Sequence, residues 1–234
     1  MDRAHFDRVA DEYYALHALN ISVTGESPEF FAEYKVKDVA SFFPNTGPRN
    51  YRILDFGTGV GNSLPFFRHY FPNAAIIGAD PSPRSLRLAA ERFPGVAELV
   101  AYDGERLPFH DCEFDIALAA NVFHHIDPGE HLKYLRDLLR VLKPAGHLFV
   151  FEHNPYNPLT VRAVNTCEFD ADARLVRPGT MRHRLAKAGF VSTEVQFRIF
   201  FPHMLRVFRR FEKALTWLPL GAQYFVVARR SERV

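Results

Sequence analysis

The stretch Arg52–Ser63, RILDFGTGVGNS, sets four apolar residues and three glycines around a single aspartate, Asp55. The compact apolar run reads as a buried strand, and the glycines read as a tight turn into a helix. Glycine removes the Cβ limit on backbone angles and lets a ligand approach the main chain closely. Gly57, Gly59 and Gly61, alternating directly after a strand and before a helix, therefore point to a bound ligand rather than a bare turn.

The same rhythm continues on both sides. After YRILDF and its loop, a helix is expected over roughly 62–71, then a strand at 74–80 (AAIIGAD) and a helix in PSPRSLRLAAERF. AELVAYDG supplies a third strand. FDIALAANVFHHI (114–126) begins as a fourth and opens into a loop, GEHLKYLRDLLRVLKPAG is an amphipathic helix, and HLFVFEHN (147–154) is a fifth strand. Strands alternating with helices predict an α/β fold with a mainly parallel sheet covered on both faces, and binding beyond the strands' carboxyl ends. Later, TMRHRLAKAGF reads as a helix, and VSTEVQFRIFF and AQYFVVARR as closing strands. Between those strands lies PHMLRVFRRFEKALTWLPLG, a basic, aromatic-rich helix and turn. Near the N-terminus, residues 4–19 read as a short helix, and a second helical pattern runs through Phe31, Tyr34, Val39 and Phe42 until Pro44, Gly47 and Pro48 stop it. The expected organisation is one domain over 1–234: an N-terminal helical cover (1–48), a ligand-binding core (50–154), and an excursion with closing strands on the substrate side (155–234).

Composition narrows the function. The 234 residues are 47% hydrophobic and 24% charged, ordinary for one large core. A net charge of +2 gives no dense basic face, which argues against a nucleic-acid partner. The two cysteines, Cys112 and Cys167, form no CxxC pair, so neither a disulfide framework nor a zinc site is signalled. The opening MDRAHFDRVADEYY lacks the apolar core of a signal peptide, and no uncharged run is long enough to span a bilayer; a cytoplasmic protein is expected.

Two ligand classes compete for the glycine loop. A dinucleotide fold wants an acid about 20 residues onward, and Asp80 lies 19 residues past Gly61. The spacing, however, is GxGxG, with Asn62 where a helix-facing Gly or Ala belongs. No lysine follows as a phosphate-binding P-loop would require.

With four segments on the page, the chain resembles the class I S-adenosylmethionine-dependent methyltransferases: ILDFGTGVGNS, IIGADPS, AYDGERLPF and FDIALAANVFHHI match the family's successive motifs. The resemblance implies a Rossmann-like seven-stranded sheet with an antiparallel last strand, and S-adenosyl-L-methionine as cofactor. It implies that Asp55 orders the loop or holds the cofactor ammonium, and that the backbone around Gly57, Thr58 and Gly59 lies against it. Asp80, followed by Pro81, would accept both ribose hydroxyls, a role suited to a carboxylate's two acceptor oxygens. Asp103 with Gly104 would meet the adenine amine, while Asn121 and Phe123 would face the cofactor or the pocket. An FDxxA…YY opening in such enzymes can cover the cofactor, which makes Phe6, Tyr13 and Tyr14 lid candidates, with Tyr14 against the sulfonium.

FEHNPYNPLT (Phe151–Thr160) resembles a small-molecule subgroup with an EHNPxNPLT segment. It places Glu152 and His153 beyond a strand end, either as the base for the acceptor's proton or as a network bracing the loop. His124 and His125 are further candidates for catalytic contact; in a continued extended segment one would face the pocket and the other the helices. These histidines and Glu152 lack tight ligand spacing, so no metal is expected. Cys167 is read as structural. In PHMLRVFRRFEKALTWLPLG, burial of the apolar side with arginines facing solvent is the plainer reading; a lipid surface or a second copy forming a homodimer are the alternatives. The expected activity is methyl transfer to O, N or activated C of a small molecule in specialised metabolism. An NAD-dependent oxidoreductase and a non-catalytic cofactor-binding partner protein are the rivals.

Overall fold

The structure, a computed structural model, describes residues 25–43, 46–47, 49–167, 170 and 172–232. The expected helix at 4–19 and the lid candidates Phe6, Tyr13 and Tyr14 lie outside them. α1 (Pro28–Ser41) starts at Ser27, whose hydroxyl accepts the Phe30 N–H, with proline in the first turn. The α/β alternation follows: β1 (Arg52–Phe56), α2 (Leu64–Tyr70), β2 (Ala75–Asp80), α3 (Pro83–Arg92), β3 (Glu98–Ala101), β4 (Phe114–Ala120), α4 (His131–Val141) and β5 (Leu142–His153). α5 (Pro158–Asn165), α6 (Pro178–Ala188), β6 (Ser192–Arg198), α7 (Glu212–Leu215) and β7 (Gln223–Arg229) complete the chain.

The seven strands form one sheet in the order β3-β2-β1-β4-β5-β7-β6. β1 pairs in parallel with β2 and β4, so its carboxyl end opens between two neighbours. β7 enters antiparallel between β5 and β6, as expected for the last strand. Because both neighbours oppose β7, β6 runs in the same direction as β5, and the connection leaving β6 emerges at the same edge as the glycine loop.

Residues alternate between two cores, as strand geometry requires. Leu54, Phe56 and Val150 face one layer with Leu135 and Leu138 of α4 and Leu185 of α6. Ile53, Phe149 and Phe151 face the other, with Val36 and Val39 of α1 and Leu64 and Phe67 of α2. The abundant phenylalanines largely fill these layers: Phe42, Phe149, Phe151 and Phe225 meet edge-to-face or stacked at ring separations of 4.7–6.4 Å.

The basic insertion differs from its reading. Residues His203–Phe211 form a 3₁₀ segment with a non-helical residue at Leu205, and none of its residues is buried. Met204 is 87% exposed and Trp217 72%, so the expected burial of the apolar side is not found. Among the described residues, no helix is long and apolar enough to cross a membrane.

Gly57 tests the close passage of the glycine loop over the loop that follows β4. Its φ is +73°, and a Cβ there would stand 2.6 Å from Val122 Cγ2. Left-handed strain and overpacking add, so Gly57→Ala is expected to cost about 2–4 kcal/mol, read as a lower urea midpoint at unchanged slope.

Candidate active site

The glycine loop is fastened to β2 by its own amides. The Gly57 and Thr58 N–H groups both donate to the Ala79 carbonyl, at 2.8 and 3.2 Å, and Gly59 N–H donates to Asp80 Oδ2 at 2.9 Å. Asp80 Oδ1 accepts the Ser82 N–H at 2.9 Å. The fold-back needs Gly78: a Cβ there would press within 2.9 Å of the Thr58 side chain and of Leu99. Thr58 Oγ1 then donates to Asp55 Oδ2 at 2.8 Å. Asp55 is 1% exposed, and burial raises its pKa to about 6 against the Thr58 hydrogen bond.

A cavity of about 360 Å³ opens over this loop. Asp55, Gly57, Thr58, Gly59, Asp80 and Asn121 line one part of it. Asn121 has a left-handed φ of 59°, which turns the chain sharply at the end of β4. Its Oδ1 is buried without a hydrogen-bond partner among the described residues. A Cβ on Gly59 would meet nothing within 4 Å. An orphaned acceptor and open space above the loop fit a polar ligand lying along Asp55, Gly59 and Asp80.

His124, His125 and His153 line another part of the same cavity. The segment after β4 does not remain extended: Phe123–His125 is a 3₁₀ turn, so both His124 and His125 reach the cavity, with ring centroids 4.1 Å apart. This corrects the expectation that one would face away. Glu152, fully buried, stands behind them. Its Oε1 accepts the Phe123 N–H at 2.8 Å and its Oε2 meets His124 Nδ1 at 2.5 Å. Burial opposes charge on His124, but Glu152 and Asp170 outweigh it and lift its pKa to about 9. Burial and the neighbouring His124 lower His153 to about 4, so its imidazole is neutral at physiological pH. Asp170 is held below the ordinary carboxylate range, burial being outweighed by the His124 imidazole beside it together with His153 and His125.

Asn154 and Asn157 explain the EHNPYNPLT segment as a brace. Asn154 Nδ2 donates to the Pro219 and Gly221 carbonyls, and Asn157 Nδ2 donates to that of Leu220. Asn157 Oδ1 also caps α5 by accepting the Leu159 and Thr160 N–H groups. The strand end carrying Glu152 and His153 is thereby tied to the loop entering β7.

Four candidates sit elsewhere. Asp103 is exposed, its Oδ1 accepting the Glu105 and Arg106 N–H groups, and neither it nor Gly104 nor Pro81 lines the cavity. Phe123 is fully buried, its ring 6.2 Å from that of Phe56, and belongs to the core. Tyr14 lies outside the described residues.

Lys35 and Asp170 are among the cavity residues the sequence reading does not single out. Lys35 of α1 is 7% exposed, and burial lowers its pKa to about 8 despite Glu152 and Asp55 nearby. Its signal was present: it continues the buried stripe Pro28, Phe31, Ala32 at helical spacing. Asp170 comes from the irregular excursion, where no periodicity marks it.

Residues 53–146 match the family described as "Methyltransferase domain". A ubiquinone/menaquinone biosynthesis C-methyltransferase of Ectopseudomonas mendocina is 36% identical over 129 residues, 50% of this chain and 48% of that protein. A demethylmenaquinone methyltransferase of Thermotoga maritima is 30% identical over 152 residues, 65% of this chain and 61% of its own length. The chain thus spans about half the length of the first of these relatives. A SAM-dependent methyltransferase of Archaeoglobus fulgidus superposes with a TM-score of 0.69 at 17% identity, over 91% of this chain and 98% of that one. A Thermotoga maritima protein described as a SAM-dependent methyltransferase and possible histamine N-methyltransferase gives 0.68 at 20%, over 97% and 99%. At such identities the structural likeness shows the fold.

Asp55 and Gly59 separate stability from binding. A buried carboxyl with a raised folded pKa binds more protons folded than unfolded, so its contribution to stability falls as pH rises from about 4 to 6. Asp55→Asn is therefore expected to stabilise the unliganded protein at pH 8 by on the order of 2–3 kcal/mol. Gly59→Ala, which meets no neighbour, is expected to cost only about 1–2 kcal/mol for its left-handed φ while obstructing the cavity. Thermal and urea melts without ligand check both.

Proposed function

We propose that this chain, built around a methyltransferase domain whose cofactor is S-adenosyl-L-methionine, methylates a small, partly apolar molecule in specialised metabolism. The observation that carries the reading is one cavity uniting Asp55, Gly59 and Asp80 at the ends of β1 and β2 with His124, His125 and His153 beyond β4 and β5. The carboxylate of Asp55 holds the cofactor's ammonium, and Asp80 accepts its ribose hydroxyls while keeping the loop in place through Gly59. Asn121 Oδ1, otherwise unpartnered, accepts from the ligand as well. Asp103 with Gly104 and Pro81, outside the cavity lining, enter this reading only as second-line contacts to the adenine end, and Tyr14 as a cover.

When bound, the cofactor supplies an electrophilic methyl on a sulfonium leaving group, and the protein's task is alignment and proton removal. Pro28, Phe31 and Ala32 of α1, Leu159 and Val164 of α5, and Phe200 after β6 provide the apolar wall for the acceptor. The acceptor bears an acidic hydroxyl whose loss of a proton activates its oxygen or a conjugated carbon. The C-methyltransferase names of the quinone-modifying relatives favour the carbon. His153 is the proton-accepting residue: it faces the cavity with an unprotonated nitrogen, and its lowered pKa suits it only to an acidic hydroxyl. Glu152 is a positioning residue, acting through His124 rather than on the acceptor.

S-adenosylhomocysteine is expected to raise the melting temperature where NAD does not, and Asp80→Asn to weaken that effect in a folded protein. A protein that responds to NAD alone overturns the reading. Incubation with methyl-labelled cofactor and quinol or phenolic acceptors tests turnover. His153→Gln is expected to lower kcat about 10²–10⁴-fold with S-adenosylhomocysteine affinity retained.

A further inference from the structure

We infer that His124, His125 and Asp170 form a binding site for a divalent transition-metal ion, with an open coordination position facing the acceptor part of the cavity. One ligand atom from each residue lies within 4.8 Å of the other two. Asp170 Oδ1 stands 3.6 Å from both His124 Nε2 and His125 Nε2. That is longer than a hydrogen bond. It is close to the roughly 3.4 Å edge of a tetrahedron whose metal–nitrogen and metal–oxygen bonds are about 2.0–2.2 Å. A small inward turn of the His125 imidazole completes the face.

The surroundings are those of a built site. His124 turns its other nitrogen, Nδ1, to Glu152 at 2.5 Å, which holds the ring with Nε2 directed at Asp170. A carboxylate behind a ligating imidazole fixes its tautomer and raises its basicity, as metal sites commonly require. Glu152 is itself fixed by the Phe123 N–H. One backbone bond brings the excursion to the turn, Arg174 N–H donating to the His124 carbonyl at 2.8 Å, while Asp170 N–H donates to the Cys167 carbonyl at 3.1 Å within the excursion itself. His124 and Asp170 are buried, and all three residues line the cavity, so an ion there is shielded yet accessible to a ligand.

The donor set defines the ion. Two imidazoles and one carboxylate suit Zn²⁺ or Fe²⁺, whereas Ca²⁺ and Mg²⁺ prefer all-oxygen shells. Three protein ligands leave a position for an anionic oxygen, the class of group that the proposed acceptor carries once deprotonated. That last role rests on the methyl-transfer reading; the ion site does not.

The test uses the full chain without an affinity tag, stripped by chelator and titrated with Zn²⁺ by calorimetry and with Co²⁺ by visible absorption. One ion per chain is expected, with Co²⁺ bands of a four- or five-coordinate site. Asp170→Asn and His125→Gln should each weaken uptake at least 100-fold, and Glu152→Gln by about 10–100-fold. Circular dichroism melts and S-adenosylhomocysteine binding identify any variant that fails to fold, and either ligand variant alone suffices. Absence of saturable uptake by the wild-type chain, or uptake unchanged in a folded Asp170→Asn or His125→Gln protein, overturns the site. Cofactor binding without metal uptake sinks the ion and spares the methyltransferase; metal uptake without cofactor binding does the reverse.

Discussion

The site depends on the glycine loop being closed onto β2 by hydrogen bonds within the chain. Gly57 and Thr58 share the Ala79 carbonyl and Gly59 takes Asp80, so the loop's shape is set without any ligand. Gly78 makes room for this, being the position in β2 where Thr58 and Leu99 both press in. A loop already ordered loses little conformational entropy on binding, and its contribution to affinity is correspondingly larger. The same closure sets Asp55, buried beneath Thr58, and Asp80, braced from both sides, on one cavity wall.

Charge is distributed along that cavity in a way burial alone would not favour. Asp55 is pushed toward neutrality and Lys35 toward the same, each lacking a close ion pair in the structure's described contacts. At the other end Glu152, His124 and Asp170 support one another's charged forms while His153 is kept neutral. Unfavourable burial of this kind is usual where a site is arranged for ligands and chemistry rather than for stability.

Much of this was legible in the chain. The apolar runs of β1, β2, β4 and β5 are short, uninterrupted and followed by Gly or Asp, so both strands and their functional ends could be located. Asp55, Asp80, Asn121 and the three histidines reach one cavity because parallel strands deliver their carboxyl ends to one edge. Lys35 was readable from the helical stripe it occupies but was passed over. Asp170 was not readable: the excursion carrying it reaches the site through a long-range bond, from Arg174 N–H to the His124 carbonyl, rather than through a local pattern. The insertion after β6 misled because apolar residues at near-helical spacing suggested one buried α-helical face. The chain there winds instead as a 3₁₀ segment broken at Leu205, and no residue of it is buried.

The reversal of β7 separates one wall of the cavity from the loop that fastens the other. With β6 aligned along β5, the connection from β6 to β7 lies at the cavity's edge of the sheet, and Ile199, Phe200, Pro202 and Arg209 line the cavity. None of the hydrogen bonds described for the glycine loop involves this connection. A change of length or side chain there would alter one wall of the cavity and leave the loop's described fastening in place.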